Sequence, residues 1–540
     1  MTRTTRFALC TTSFLALFAS SAMAQESDSA SVGEIIVTAE KREASVNSVP
    51  MSITAMTGEA LEEQGITQVR DLERVATGFS YVEGSFSMPV YSLRGVGFND
   101  STLGSRPTVS VYVDETPLPF AIMTRGAALD VQRVEVLKGP QGTLFGQNAT
   151  GGAINYVAAR PGDEVETGLD LELGNYGAVN VGGFVSGPMA ESWGGRLAFR
   201  MESRNGWQES ASRPGDTLGD VDFMQGRLLL DWDPASPFSA TLTLSAYIDR
   251  SETQAGQFYQ YQLFNASGEG LGLNPFLAAV TRPPESNEYA DWLQGRDYGR
   301  DNEFAQAALR WDWEFSPSLT LTSLTSFVTY DHYHSQAYDG TQYNAGSFVT
   351  RGEIDAFNQE LRLSGEGWNR LQWILGVNYE EASVFQMDDG HTDSSASFAL
   401  APFAAYFTDY GQYSNQEFET LAIFGNVDFD LTSTLTAHLG ARYTEARDDF
   451  NGCSIDGTYL GDPSLSIGLA GVYSYIRSLI PPEAGGPLPP VTIEPNGCVT
   501  MTSPLQTRPT LKLGWTEILE GNHAPEALHA RGDRIEASPS

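Results

Sequence analysis

Basic residues are scarce in this sequence. Its 540 residues include 32 Lys and Arg against 68 Asp and Glu, so the formal net charge is −36. A surface this acidic repels phosphate, which excludes general nucleic-acid binding. Long apolar runs are also missing, because no stretch of about 18 apolar residues occurs beyond residue 24. A transmembrane helix is therefore excluded after that point, and a membrane location would require strands.

Cysteine is rare, with three residues in the chain. Neither a C-x-x-C pair nor a spaced cluster of His and Cys occurs, so the sequence predicts no zinc site. Cys10 lies in an N-terminal leader, which leaves Cys453 and Cys498. In an exported chain this even number predicts that the two form a disulfide.

The common catalytic motifs are missing as well. Residues 139–146 lack the Gly-Lys-Ser/Thr ending of a phosphate loop, and the Gly-Val-Gly at 95–97 lacks the third glycine of a dinucleotide fingerprint. G-x-S-x-G and H-E-x-x-H do not occur. His332 and His334 could touch a metal from one side of the chain, but their position in or beside a loop favours exposed loop residues. We expect neither an enzyme nor a cofactor or metal site.

The first 24 residues have the features of a secretory signal peptide. Arg3 and Arg6 precede a short apolar stretch, Phe7 to Ala19. Ala22-Met23-Ala24 then forms a cleavage site of the A-x-A type. Residues 1–24 therefore predict export. Residues 25–33 are small and polar, which predicts a flexible leader.

The dominant pattern in residues 165–515 is an alternation of apolar and polar residues with period two. For example, Leu309 and Trp311 share one face of a strand, and Arg310 and Asp312 share the other. Many of these segments reach the ~9–11 residues that cross a bilayer at a tilt. The pattern predicts about twelve strands, near residues 167–174, 177–187, 195–204, 222–232, 238–249, 303–315, 318–331, 354–364, 370–381, 418–431, 434–446 and 506–515.

The connections between these strands alternate in length. Connections after the even-numbered strands have about two to seven residues. Connections after the odd-numbered strands are long, except for the first. Short turns at one end and long loops at the other are typical of an outer-membrane barrel. A soluble β-sandwich is the alternative, but it has no reason to collect its long loops at one end.

The first apolar run after the leader is extended and β-branched. Such a run can add a strand to the edge of a partner's sheet through backbone hydrogen bonds, or it can be the first strand of a domain. Its six residues are Glu34, Ile35, Ile36, Val37, Thr38 and Ala39.

Three further motifs follow in residues 40–160. Tyr91 to Gly95 contain an Arg-Gly pair, and Val109 to Asp114 form a strand pattern that ends in an aspartate. Residues 131–155 then read VQRVEVLKGPQGTLFGQNATGGAIN. Together with residues 34–39, and in this order, these motifs resemble those of the TonB-dependent outer-membrane receptors.

The resemblance implies a division of labour along the chain. Residues 34–39 would be a TonB box, which binds the TonB-type energy-transducing protein of the inner membrane. Residues 40–160 would form an α+β plug domain, and residues 165–515 a transmembrane barrel around it. The plug-motif positions that carry the resemblance are Arg94, Gly95, Asp114, Arg133, Glu135, Gly139, Pro140, Gly142, Gly146, Gly151, Gly152 and Asn155.

Two physical expectations accompany the plug motif. Arg133 and Glu135 alternate with valines and project from one face of a strand, so we expect them to pair with charges on the inner wall of the barrel. The glycines permit tight turns and close backbone approach, and Pro140 fixes one turn. Whether these residues serve folding or ligand contact is left open by the sequence.

The substrate is less well defined than the architecture. Aromatic residues are frequent in the long loops 250–302 and 382–417, which suits a ferric chelate but also sugars, corrinoids or aromatic compounds. A ferric siderophore is the first choice, because the family usually carries one. The candidate substrate-loop residues are Tyr259, Tyr261, Trp292, Tyr406 and Tyr410.

The predicted fold is a membrane β protein, with an N-terminal α+β plug followed by an incomplete antiparallel transmembrane β-barrel. The period-two pattern stops at Thr516, and residues 516–540 form an atypical polar tail. Only about 12 of the family's ~22 strands are therefore expected. We predict a truncated or frameshifted receptor, and a smaller barrel with a soluble tail is the alternative. Functionally, the alternatives are an inactive fragment, or a porin-like or secreted β-rich binding protein without energy coupling.

Overall fold

The structure of the chain is a computed structural model. It describes residues 35–38, 40–42, 44–47, 49–84, 87–258, 280, 282–343, 346–368, 370–391, 409–432, 435–456, 499–506 and 510–513. The predicted signal peptide, leader and polar tail lie outside this set. Among the described residues, no helix is both long enough and apolar enough to cross a membrane.

The N-terminal region combines short strands and short helices. In its described residues an α-helix, α1, spans Gly58–Glu63, and short 3-10 helices span Val69–Arg74 and Ala121–Gly126. The strands are β1 (Ile36–Val37), β2 (Ala44–Ser45), β3 (Ser52–Thr57), β4 (Phe79–Glu83), β5 (Pro89–Leu93), β6 (Val96–Gly97), β7 (Val109–Val113), β8 (Thr116–Leu118), β9 (Val131–Lys138) and β10 (Gly152–Ala158).

A five-stranded mixed sheet forms the centre of this region. Its order is β3-β9-β10-β7-β8, in which β7 and β10 are parallel and the other neighbours antiparallel. Both faces of the sheet are covered, because Val136 and Ile154 join one buried cluster while Leu137 and Ala153 join another. Successive residues of one strand therefore enter different cores.

The rest of the described chain is dominated by one 13-stranded sheet, in which every neighbouring pair is antiparallel. We call this sheet the wall. Three short strands, β14, β15 and β18, form a separate small sheet in the long connections. The strands are β11 (Glu166–Leu173), β12 (Val179–Ala190), β13 (Trp193–Arg204), β14 (Gln208–Ser210), β15 (Thr217–Leu218), β16 (Val221–Trp232), β17 (Phe238–Asp249), β18 (Tyr289–Ala290), β19 (Asn302–Ser316), β20 (Leu319–Ala337), β21 (Ser347–Gly367), β22 (Leu371–His391), β23 (Asp409–Thr432), β24 (Leu435–Asp456), β25 (Val499–Gln506) and β26 (Thr510–Leu513).

The polarity of the wall is inverted relative to a soluble sheet. On its outer face Leu375 is 54% and Ile423 is 53% exposed, although both are large and apolar. On its inner face Glu360, Arg362 and Arg442 are buried. Apolar-out and polar-in is the pattern of a lipid-facing β-barrel wall, because hydrocarbon replaces water outside it. Between β11 and β25 the described strands form an open sheet, so they make up part of a barrel.

The N-terminal region packs against the inner face of the wall. Phe223, Tyr247, Phe304 and Tyr330 of the wall belong to the same buried cluster as the core of the N-terminal region. The predicted arrangement, an α+β plug followed by an antiparallel wall, is confirmed. Connections at one end of the wall, such as 191–192 and 317–318, are short turns, and the long ones are at the other end.

Candidate functional site

A cavity of about 620 Å³ lies between the N-terminal region and the wall. It opens where the wall carries its long connections, since it is lined by residues at the corresponding ends of β16, β17, β19 and β20. From the N-terminal region come residues of β4, β5 and the two 3-10 helices. Its volume lies within the range of small-molecule sites, roughly 300–1,000 Å³.

Arginines and acidic residues line this cavity together. Arg125 pairs with Asp249, and its guanidinium lies 4.1 Å from the ring centre of Phe223. Arg300 Nη2 lies 3.6 Å from Glu83 Oε1 and thereby links the connection before β19 to β4. Other cavity contacts join Arg200 Nε to Glu202 Oε1 at 2.8 Å and Arg204 Nη2 to the carbonyl oxygen of Gly219 at 2.8 Å.

Several polar atoms of the cavity wall have no partner in the described structure. The Nε–H groups of Arg125 and Arg204 are buried without an acceptor, and so are ring nitrogens of His332 and His334. Buried polar groups are nearly always hydrogen-bonded, so such a group at a cavity suits a ligand atom. The arginine donors call for acceptor oxygens on that ligand.

The two histidines are placed differently from the prediction. We expected exposed loop residues, but both lie in β20, with 5% of His332 and 1% of His334 exposed. Their rings are nearly parallel, with centroids 6.1 Å apart. The period-two pattern breaks down here because both faces of this part of β20 carry polar residues, and the predicted strand therefore ends near residue 331.

Of the predicted substrate-loop residues, the structure describes Trp292 and the backbone of Tyr410. Trp292 is buried in a small cluster with Tyr298, and Arg213 Nη2 donates to its carbonyl oxygen at 2.9 Å. It therefore stabilises the connection rather than lining the cavity. Tyr410 lies in β23, where its backbone pairs with Gly390. Tyr259, Tyr261 and Tyr406 lie outside the described residues.

The segment predicted to bind TonB is docked in this structure. β1 pairs with β2, and Val37 is completely buried. The backbone N–H of Thr38 donates to Glu135 Oε1 at 2.9 Å, and Asn155 Nδ2 donates to Thr38 Oγ1 at 3.2 Å. Ile35 and Ile36 are part of the same docked segment, whereas Glu34 and Ala39 lie outside the described residues.

Two cations that immediately follow this segment anchor it to the wall. Lys41 Nζ donates to both carboxylate oxygens of Glu360, at 2.6 and 2.7 Å, and Arg42 pairs with Asp428. Burial lowers the pKa of the Lys41 amine, and the charge of Glu360 opposes that shift. The sequence-based prediction missed both anchors, although a Lys-Arg pair stands out in so acidic a chain.

Besides the shared apolar cluster, several ion pairs hold the N-terminal region, the plug, to the wall. Glu115 contacts Arg310 Nη1 at 3.3 Å and also pairs with Arg362. Burial opposes ionisation of Glu115, but the two arginines outweigh burial and hold its pKa at about 2. Further links join Asp130 to Arg196 through two hydrogen bonds of 2.6 Å, and Arg106 to Glu380 at 2.6 Å.

The expected pairing of Arg133 and Glu135 with the wall is not what the described residues show. Arg133 Nε donates to Glu135 Oε1 at 2.8 Å, and Glu135 also accepts from Thr38. Glu135 is fully buried on the sheet face that carries Leu137, under the docked N-terminal segment. Its partners are therefore within the plug, because β1 and β2 cover that face of the sheet.

The other plug-motif residues shape the backbone. Arg94, Gly95, Asp114, Gly139, Gly146 and Gly152 all have positive φ angles. Asp114 Oδ1 accepts from the N–H of Ala158 at 3.0 Å, and Asn155 Oδ1 accepts from the N–H of Glu115 at 3.1 Å. A side chain at Gly151 would meet the Val96 carbonyl oxygen at 3.0 Å. None of the motif positions, including Pro140 and Gly142, lines the 620 Å³ cavity, which favours a role in folding.

Cys453 forms a disulfide in β24. Its predicted partner Cys498 lies outside the described residues, directly before β25. Within the described chain, Cys453 pairs in register with Thr500.

Comparisons with known proteins agree with this architecture. Residues 45–153 match the family model described as TonB-dependent Receptor Plug Domain. The chain is 41% identical over 132 residues to the pesticin receptor of Yersinia pestis, which covers 24% of this chain and 19% of that receptor. The chain thus spans about a fifth of the length of this receptor and of its counterparts from Yersinia enterocolitica.

Solved structures of low sequence identity share the fold. The crystal structure of the ferric yersiniabactin uptake receptor from Yersinia pestis has a TM-score of 0.63 at 17% identity, covering 86% of this chain and 61% of that one. The ferripyoverdine receptor of the outer membrane of Pseudomonas aeruginosa, bound to ferripyoverdine, has a TM-score of 0.56 at 15% identity, covering 80% and 61%.

Proposed function

We propose that this chain, which combines the plug domain and part of the barrel of a TonB-dependent outer-membrane receptor, takes up a metal chelate, most readily a ferric siderophore. The observation that carries the proposal is the cavity of about 620 Å³ between plug and wall. In a barrel that is plugged rather than open, a substrate must first bind at such a site and then displace part of the plug.

The cavity chemistry supports an oxygen-rich ligand. Arg125 and Arg204 each present a buried Nε–H with no acceptor, and Tyr81 and Tyr247 add aromatic surface and hydroxyl groups. A siderophore offers carboxylate, hydroxamate or catecholate oxygens, which accept from arginine in charge-assisted hydrogen bonds. Similar receptors of Pseudomonas putida and Pseudomonas aeruginosa are named for ferric pyoverdine.

The docked N-terminal segment supports energy coupling. Residues 34–39 would add a strand to the edge of the periplasmic TonB protein, since backbone pairing needs only an extended segment. In the described structure Val37 and Thr38 are held by the plug and by the anchors at Lys41 and Arg42. Capture by TonB would require these contacts to break, and substrate binding would favour that release. The work would come from the inner-membrane proton gradient.

Deletion of residues 34–39 tests the proposal. We expect cells that depend on this receptor to lose accumulation of a radiolabelled ferric siderophore while surface binding persists. A matched deletion of six leader residues, 28–33, should leave both unchanged. Unchanged uptake after deletion of 34–39 would contradict energy coupling and favour a porin-like pathway. Absence of chelate binding by the intact chain would contradict the substrate class.

A further inference from the structure

The cavity wall carries a pair of histidines, each of which keeps one ring nitrogen without a partner in the described structure. His332 and His334 are two residues apart in β20, so their side chains leave the same face of the strand. Both line the cavity between plug and wall, and both are more than nine-tenths buried. His332 Nε2 and His334 Nδ1 have no hydrogen-bond partner in the described structure.

Hydrogen bonds show which ring nitrogen of His334 is unprotonated: it is Nδ1, the nitrogen without a partner. Gln336 Nε2 donates to the carbonyl oxygen of Gln254 at 2.9 Å, which turns Gln336 Oε1 toward His334. His334 Nε2 lies 3.1 Å from that oxygen and must donate to it. Nδ1 of the neutral ring is then unprotonated and faces no donor. His332 Nδ1 lies 3.1 Å from the hydroxyl of Tyr330. When Nδ1–H donates to that hydroxyl, Nε2 of His332 is unprotonated and its lone pair can bind a metal.

The ring centroids are close enough for both rings to share one metal ion once the rings turn, because the nearly parallel, stacked planes do not yet aim their in-plane lone pairs at one point. A metal about 2.1 Å from a ring nitrogen lies ~3.3 Å from the ring centroid, so two rings can share an ion with centroids up to ~6.6 Å apart. The observed separation is 6.1 Å.

The cavity carries charges of both signs, six acidic residues and five arginines, and the arginines near the histidines provide donors for an anionic ligand. Arg300 pairs by a backbone bridge with His334, and it also lines the cavity, as do Arg70 and Arg125. Glu83 and Asp249 already contact Arg300 and Arg125. A metal that arrives within an anionic chelator satisfies the arginines and avoids repulsion by them.

We propose that His332 and His334 complete the coordination of a divalent transition metal presented in an anionic chelate with open positions. Two metal-bound waters leave as the two imidazole lone pairs bind, and neither electrons nor protons are transferred. Imidazole is a better ligand for Ni²⁺, Cu²⁺ and Zn²⁺ than for the hard ion Fe³⁺. A chelator that fills every coordination position of its metal leaves no position for the imidazoles. This inference rests on the proposed function only for the assignment of the cavity as the substrate site.

Ni²⁺–nitrilotriacetate is a suitable probe, because it is anionic and leaves two positions open. We expect the untagged, folded chain in detergent to bind it in calorimetry, and the Ni²⁺ absorption bands to shift as imidazole replaces water. Ni²⁺–EDTA, whose metal is saturated, should not bind. His332→Gln and His334→Gln should each weaken binding at least ~10-fold, because loss of even an outer-shell partner of a metal ligand typically costs ~10–100-fold. His391→Gln, in β22 outside the cavity, is the matched control.

Three results would overturn the inference: no binding of Ni²⁺–nitrilotriacetate, an unshifted Ni²⁺ spectrum on binding, or affinity that is unchanged in both histidine variants. The spectrum of the unmodified chain decides the question even if a variant does not fold. Loss of siderophore uptake with histidine-dependent Ni²⁺ binding intact would contradict the proposed function alone.

Discussion

Replacement of Glu115 by glutamine should loosen the plug within the wall. Glu115 faces Arg310 and Arg362 in a buried site, and its pKa is held at about 2 from an ordinary value near 4.5. At about 1.4 kcal/mol per pKa unit, the charged form is stabilised by about 3 kcal/mol in this site. The glutamine forfeits that stabilisation and leaves the two guanidinium groups less compensated, although Asp312 and Glu360 still contact them.

Hydrogen–deuterium exchange of β7 and β10 measures the effect. We expect amides in these strands to exchange about a hundredfold faster in Glu115→Gln at pH 7, which corresponds to about 3 kcal/mol in the opening free energy. Glu314→Gln, an exposed carboxylate on the same strand as Arg310, is the matched control and should change exchange by less than threefold. An equally small change in Glu115→Gln would refute the reasoning.

The pH dependence of the same contact has a definite sign. Because the folded-state pKa of Glu115 is lowered, its stabilisation is complete above the unfolded-state pKa, near 4.5, and declines as the pH falls toward about 2. The protection of plug amides against hydrogen exchange that Glu115 contributes should therefore be the same at pH 7 and pH 5. The Glu115→Gln variant should lose the part of the acid sensitivity that lies between about pH 4.5 and 2.

Three further predictions concern the plug, its anchor and the cavity. Gly152→Ala should destabilise the plug by at least ~3 kcal/mol, because φ is +151° and the new Cβ would lie 2.2 Å from the Leu137 carbonyl oxygen. The yield of folded protein measures this loss of stability, and Gly226→Ala is the control that should be tolerated. Lys41→Gln should weaken docking of β1 by about 2 kcal/mol, which faster exchange of the Val37 amide would report. This loss is smaller than for an isolated buried ion pair, because Arg362 still contacts Glu360. Unchanged exchange would show that Lys41 is not an anchor. Arg125→Lys keeps the charge beside Asp249 but removes the free Nε–H, so we expect roughly tenfold weaker siderophore binding, whereas Arg250→Lys at an exposed pair should bind normally.

Local pattern was sufficient to predict most of the wall. The segment 238–249 is observed as β17 with the same bounds, because inward and outward residues of a lipid-facing strand differ strongly in polarity. The prediction 354–364 falls short of β21, Ser347–Gly367, because the outer part of that strand lies beyond the apolar band and its two faces no longer differ. The burial of His332 and His334 was missed for the same reason.

Contacts between distant parts of the chain could not be predicted. Lys41 and Glu360 are separated by 319 residues, and Glu115 and Arg362 by 247. Nothing in the local sequence of either partner specifies the other. For Glu135 the predicted position in the strand is correct, but the predicted partner on the wall is wrong, because Glu135 contacts Thr38 and Arg133. The pairing depends on β1 and β2 covering the sheet, which no periodicity reveals.

The central physical claim is that the apolar face of the wall contacts lipid while the polar face encloses the plug. Photolabelling of outer membranes with a lipid-dissolved diazirine, read out by residue, tests it most directly. We predict label on Leu375, Val377 and Ile423 and none on Thr420 or Asn426, which alternate with them on the inner face. Equal labelling of both faces, or no labelling of either, would contradict the claim.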